Sequence, residues 1–251
     1  LETTKPTTLD YQVVLRRAFM RYGLPERLSL DHDSVFYDNT SASPYPTLLH
    51  LWLITLGLKV RFGRKGHPTD QGFIERIHQT VTQQAIVGQE FAEGAALQEA
   101  LDERLDFLNG CFPSRSLGGQ PPLVAHAEAR QSGRPYCPEW EEAMLDLQQV
   151  YDYLALGGWF RRATPQGQFS LGGHRYGVGM AFASQRLEIT FDPETQQFVC
   201  LSEDSRQTIR LPAQRLTKTE LMDELGPLIA LPFYQLALPF SPDAWREMIL
   251  C

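Results

Sequence analysis

Apolar positions in the first part of the chain recur with a period near 3.6, interrupted by two short apolar runs. Val13, Val14, Leu15, Ala18 and Phe19 predict a helix that Asp10 caps, Gly23 ends and Pro25 prevents from resuming. Residues 27–30 read as a buried strand that stops at Asp31, and residues 38–46 as a polar, turn-rich loop. Thr47 opens a second helix over residues 48–56, closed by Gly57. Leu49, Leu51, Trp52, Leu53 and Ile54 make it apolar almost all round, which predicts burial. Residues 58–62 form the next strand. The order helix, strand, helix, strand implies an α/β layer with a parallel pair and a right-handed crossover.

Residues 63–68 are a loop rich in glycine and cations. The helix after it places Phe73, Ile74, Ile77, Val81 and Ala85 on one face, with Glu75 and Gln79 on its flank. A further helix is expected over about residues 91–108. Pro and Gly then break all periodicity over residues 109–122, and a connecting helix is expected over residues 139–153. From residue 157 the pattern changes to short β-prone pieces at residues 159–160, 168–171, 174–178, 187–191, 197–201 and 208–211. Gln166-Gly167, Gly172-Gly173 and Asp192-Pro193-Glu194 punctuate them. Strands this short and this close predict a small closed or nearly closed barrel. The tail from Thr217 carries one short helix and then Pro- and Leu-rich segments. No internal repeat or low-complexity tract is present.

Composition narrows the picture. The chain has 251 residues, 43% hydrophobic and 21% charged, an ordinary globular balance that suits two modest domains. The net charge of −7 means that any attraction to nucleic acid must come from local patches. Cys111, Cys137, Cys200 and Cys251 are far apart and form no C-x-x-C, so they read as reduced thiols of a cytoplasmic protein. No apolar run approaches the ~20 residues of a membrane span, and the first residues show no signal-peptide pattern. The chain begins without a Met, as if inside a longer reading frame.

The residues with most chemical content are two carboxylates. Asp31 follows the first strand in Leu28-Ser29-Leu30-Asp31-His32-Asp33, and Glu75 lies just inside a helix in Gly72-Phe73-Ile74-Glu75-Arg76. Two such acids brought together would hold divalent cations against a phosphodiester. Arg61, Arg64 and Lys65 cluster before the Glu75 helix, where cations and free N–H groups suit phosphate contact. Arg76 and His78 flank Glu75 on its helix. In the β-rich part Arg161, Arg162, Arg175 and Arg186 interleave with Trp159, Phe160 and Tyr176, a mixed face of the kind small barrels use for nucleic acid. The alternative for each is bland: a strand-end turn residue for Asp31, a solvated helix face for Glu75, solubilising loops for the cations and core packing for the aromatics. Glu75-x-x-His78 lacks the second such pair that a di-iron bundle needs.

Residues 10–123 resemble the catalytic core of DDE-type transposases and retroviral-type integrases, in particular bacterial insertion-sequence transposases. Gly23-Leu24-Pro25 with Leu30-Asp31 and Phe36 resembles the family's block around its second catalytic acid. Pro68, Gly72, Glu75, Arg76 and Thr80 resemble the block around the third. Asn109, Pro113, Leu117-Gly118-Gly119 and Pro122 resemble the block that closes the core. Residues 157–216 are similar to the small β-barrel that follows the core in Mu-like transposases.

The resemblance implies an α/β plus all-β chain. Residues 1–123 would form a partial RNase H-like core, 124–156 a linker with a helix, 157–216 an SH3-like barrel and 217–251 a C-terminal tail. It further implies Mg2+ or Mn2+ held by Asp31 and Glu75, DNA (transposon ends and target) as partner, self-assembly on that DNA, and metal-dependent DNA cleavage and strand transfer. The departures are specific. Only 30 residues precede Asp31, and Asp10 is the one aspartate among them, so the family's first catalytic Asp, which bridges both metals, is not in the chain. His32-Asp33 replaces the family's Asn-Gly. Asp31 and Glu75 are 44 positions apart, a longer separation than usual, with the extra length in the 38–46 loop. The chain alone is therefore expected to be catalytically incomplete, and a non-catalytic DNA-binding or assembly module is the alternative.

Overall fold

The computed structural model describes residues 5–64 and 72–222, with the Phe73 side chain excepted. Its contacts divide the chain into two compact units. One holds the described residues up to Phe62 and from Arg134 on; the other holds those from Gly63 to Gly133.

In the first unit, helix α1 (Thr8–Tyr22) starts with a capping box. Thr7 is the N-cap, and Asp10, expected to be the cap, stands three residues inside and accepts from Thr7 N at 2.7 Å while Thr7 Oγ1 accepts from Asp10 N at 3.3 Å. Gly23 takes φ +75 and donates to Phe19 O, which ends the helix as expected. Strand β1 (Arg27–Leu30) pairs in parallel with β2 (Lys59–Phe62), Arg27 opposite Lys59 through Leu30 opposite Phe62. Alternate residues of β1 are exposed, so the strand is half-covered rather than buried.

Between the strands runs α2 (Leu48–Thr55), with Thr47 as N-cap. Its apolar circumference has a definite cause. Leu49, Trp52 and Leu53 pack with Phe19, Leu24, Phe36, Leu58, Tyr136 and Leu145 in one core. Leu51 and Ile54 pack with Tyr45, Val150, Leu154, Trp159, Leu187, Ile189 and Phe198 in another. The helix is a common wall between two interiors.

The second unit is helical in its described residues. It comprises α3 (Gly72–Val81), α4 (Gly94–Gly110), the single turn α5 (Pro122–Ala125) and 3-10 turns at Arg115–Leu117 and Ala127–Arg130. The stripe expected on α3 is not a continuous buried face. Ala85 is buried, but Ile74 and Ile77 are half exposed. A π-helical stretch, Thr82–Ile86, follows α3, with Val87 N donating to Thr82 O. Its wider turn shifts the phase, so Ala85 is no longer in register with the residues before it.

The first unit resumes through a 3-10 turn at Pro138–Trp140, then α6 (Glu141–Met144) and α7 (Leu147–Ala155). The single helix expected over 139–153 is interrupted because Leu145 is extended and Asp146 starts a new helix by accepting from Gln148 N at 2.9 Å. Strands β3 (Gly158–Arg162), β4 (Gln168–Leu171), β5 (His174–Gly177), β6 (Arg186–Asp192), β7 (Gln197–Ser202) and β8 (Thr208–Pro212) follow, then the short α8 (Lys218–Met222). All six expected strands are present. They form a four-stranded antiparallel sheet in the order β3-β6-β7-β8 and a separate β4-β5 hairpin. Both pack on one core, yet hydrogen bonding among the described residues does not close them into a barrel. Two glycine turns hold the hairpin. Gly167, at φ +67, lies so close to Gly179 that an added Cβ would meet its carbonyl oxygen at 2.2 Å.

The 38–46 loop belongs to this packing. Ser43 Oγ accepts from Phe160 N at 3.2 Å on β3, and Pro44 O accepts from Trp159 Nε1 at 3.1 Å. The loop thus covers the open edge of an edge strand, which would otherwise present unpaired backbone groups.

Candidate functional site

Asp31 is exposed at the end of β1. Its Oδ1 accepts from Asp33 N at 3.0 Å, and Asp33 Oδ1 accepts from Val35 N at 3.0 Å, so two consecutive side-chain turns shape the exit from the strand. Around this turn the His32 ring packs edge-on to Tyr37 at 4.7 Å and lies 5.7 Å from Phe62 of β2. Tyr11 of α1 packs on Phe36, and its phenol is pushed up by burial and by the negative Asp33 and Asp31, so it stays protonated beside them. Tyr11 has no signal in the linear sequence; only the packing of α1 on the strand turn brings it here.

Glu75 lies in the first turn of α3 and is exposed, as are Arg76 and His78 on the same helix. Thr80 Oγ1 donates back to Arg76 O at 2.9 Å. Asp31 belongs to the first compact unit and Glu75 to the second. Carboxylate oxygens are the right donors for Mg2+ or Mn2+. Among the described residues, no group of three or more His, Cys, Asp or Glu side chains is gathered.

The candidate DNA contacts divide into two kinds. Arg61 on β2, Arg64, Arg76, His78, Arg162 and Arg175 are exposed. Lys65 lies outside the described residues. Arg161 faces inward. Its Nη1 donates to Ser43 O at 2.7 Å and Phe160 O at 2.8 Å, its Nε to Ser170 O at 3.1 Å, and its Nη2 stands 3.6 Å from Asp38 Oδ2. With 14% of its side chain exposed, Arg161 ties loop 38–46 to β3 and β4, which takes it out of any phosphate-contacting face. Trp159 and Tyr176 are buried in the core, whereas Phe160 is half exposed beneath the Arg186 guanidinium, 5.1 Å from its ring.

One heavily bonded carboxylate carries no signal in the sequence. Glu141 is fully buried and receives Arg16 Nε and Nη2, both at 2.7 Å, Trp52 Nε1 at 2.8 Å and the Tyr136 hydroxyl. Arg16 Nη2 also donates to Met222 O, and Gln12 Nε2 to Leu221 O, so α1 binds the end of α8. The spacing of 125 residues between Arg16 and Glu141 leaves no local pattern to read. The thiols of Cys137 and Cys200 are buried and pushed up to about 12 by burial, Cys111 is exposed, and Cys251 lies outside the described residues. Among the described residues no helix is long and apolar enough to cross a membrane.

Residues 56–122 match the sequence profile of a family described as an integrase core domain. The match runs from the end of α2 to the start of α5 and covers Glu75 and the Arg61–Arg64 stretch, but not Asp31. It supports an integrase-type or transposase-type catalytic core in this part of the chain, of the kind that acts on DNA.

Proposed function

We propose that this chain is part of a DNA-recombining protein of the transposase or integrase kind, with a partial RNase H-like core followed by a β-rich module derived from an SH3-like barrel. The observation that carries the reading is the integrase core match over residues 56–122, with Glu75 in the first turn of an exposed helix inside it. Strand β1, which leads into Asp31 outside the matched segment, pairs in parallel with β2 inside it, and this supports the reading. On this reading Asp31 and Glu75 each hold a divalent cation, Mg2+ or Mn2+. Such ions stabilise charge on the attacking and leaving oxygens of a phosphodiester. Exposed Arg61, Arg64, Arg76, His78, Arg162 and Arg175, with Lys65, contact the phosphates of transposon ends and target, and copies of the chain assemble there.

The chain by itself supplies two of the three carboxylates such chemistry uses, and is catalytically incomplete. A second reading, a non-catalytic DNA-binding or assembly module, draws support from the use of Asp31 Oδ1 in its own strand-end turn, where it accepts from Asp33 N. One experiment orders these readings. The pure chain is incubated with Mg2+ and terminal-repeat DNA, and binding and nicking are measured across a salt series. Binding that weakens steeply with salt, without turnover, is expected. Robust turnover would refute incompleteness; absence of DNA binding would refute both readings. Calorimetric Mn2+ titration separates them, because Asp31→Asn and Glu75→Gln weaken metal uptake only if the carboxylates are ligands.

A further inference from the structure

We propose that a groove between the π-helical turn and α4 seats a cationic segment of a partner protein, with one large apolar side chain as its anchor. The proposal stands apart from DNA as a partner: the groove lies wholly in the second compact unit, and none of its residues is among the phosphate contacts assigned above.

One wall is the π-helical stretch Thr82–Ile86, which contributes Gln84 and is closed by Val87 N donating to Thr82 O at 3.0 Å. Wide turns of this kind recur at functional sites. The other wall is α4, which contributes Ala100, Glu103, Arg104 and Phe107, and the segment between the two adds Gln89 and Phe91. The enclosed volume is about 380 Å³, within the ~300–1,000 Å³ typical of binding sites. α4 has 17 residues and none of them is buried. Phe107 and Phe112, with ring centroids 6.1 Å apart, are 44% and 46% exposed, and Val87, directly after the π-helical turn, is 65% exposed. Open apolar surface beside a groove, edged by polar residues, marks a face that meets another protein.

Arg104 ties the two walls together. Its Nη2 donates to Gln84 Oε1, and its guanidinium stands 4.8 Å from the centre of the Phe107 ring. Its Nε is buried and has no hydrogen-bond partner among the described residues. That donor suits a carbonyl of a bound main chain, and the exposed Gln89 amide can serve both a carbonyl and an N–H. Charge then sets the sign of the guest. Residues 82–107 carry Glu90, Glu93, Glu99, Asp102, Glu103 and Asp106 against the single cation Arg104. Glu99 and Glu103 stand exposed one turn apart on α4. A field of this sign repels a phosphate strand and draws in lysine or arginine. It also disfavours a symmetric pairing of two such faces, in which like charge would meet like.

The test titrates the full chain into short labelled peptides and a labelled DNA duplex, read by fluorescence anisotropy. One peptide has lysines on both sides of a central leucine; a second has serine in place of the leucine; a third has glutamates in place of the lysines. The first should bind, the second about 10-fold more weakly because the buried apolar anchor is lost, and the third not at all. Ala100→Trp fills the groove and should remove the preference for leucine over serine while helical circular dichroism is retained. Glu103→Lys, at an exposed position that leaves the fold intact, should weaken the first peptide about 5-fold. Glu194→Lys makes the same change of charge at an exposed position in the first unit and should leave that binding as it was. Equal binding of the leucine and serine peptides, or equal losses from the two charge reversals, would overturn the groove, as would no binding of the first peptide. Preference for the glutamate peptide, or duplex binding that Ala100→Trp removes, would make it an anion site instead. A wild-type dimer in sedimentation that Ala100→Trp dissociates would assign the face to a second copy of the chain. Loss of duplex binding by wild type, with the peptide results intact, would overturn the DNA reading and leave the groove standing.

Discussion

At the scale of single residues, the consequential group is the Glu141 carboxylate. A buried ion pair adds little net stability, because the desolvation of both charges offsets their attraction. Removing one partner is different, since a charge is then left in the interior without its counterion. Arg16→Met should therefore cost about 3–5 kcal/mol in urea unfolding, although Trp52 and Tyr136 still donate to the carboxylate. A loss below about 1 kcal/mol would mean that water or the neutral donors already carry Glu141. His50 supplies a second residue-level expectation. Its folded pKa lies near 4 instead of 6.5, so the unfolded chain binds the proton first. Stability from this group is complete above about pH 6.5 and is lost as pH falls toward about 4, by up to about 3 kcal/mol. His50→Phe should flatten that part of the stability–pH curve relative to wild type. Parallel curves would show that the imidazole is not held neutral.

At the scale of elements, the break between α6 and α7 depends on a cap. Asp146 Oδ1 accepts from Gln148 N, while Asp146 N donates to Thr55 O at 3.0 Å. Asp146→Ala should cost about 1 kcal/mol, and Asp146→Asn, which can still cap, should recover most of it in thermal unfolding. This break also shows where the sequence was hard to read. Residues 139–153 carry good helical spacing, and the interruption arises because Leu145 goes to the core and Glu141 to Arg16, a partner 125 positions away. Local signals were sufficient where local physics decides. Gly23, Thr47 and the paired glycines of the β-hairpin marked element ends, and the apolar circumference of α2 announced burial. They misled where a neighbouring side chain reassigns a role: Asp10 lies in the capping box but Thr7 is the cap, and a π-helical turn breaks the stripe of α3. The candidate site divides along the same line. The strand before Asp31 and the helix of Glu75 were visible in the pattern, but the inward bonding of Arg161 depends on Ser43 and Asp38, more than a hundred residues upstream.

At the scale of the molecule, the first unit carries two cores that share α2, and each contains a tryptophan. Trp52 reports on the core under α1 and Trp159 on the core under the sheet. The shared helix couples them, so denaturation followed through Trp52→Phe and Trp159→Phe variants should give coincident transitions. Midpoints separated by more than the difference in stability between the two variants would show that the cores melt independently. Net charge adds a constraint. At −7, the chain as a whole repels a polyanion, so the DNA association proposed above would depend on the exposed Arg positions acting over short range.

The sharing of α2 also limits how such a chain can be rearranged. Leu51 and Ile54 face one interior while Leu49, Trp52 and Leu53 face the other, from adjacent positions on the same two turns. Exchanging the C-terminal sheet for a foreign one would leave half of that helix without its complement, and grafting the sheet elsewhere would strip it of a wall. The natural seam for a chimera is thus not the stretch before β3, where the secondary structure changes character; a transplantable cassette has to take the helix along.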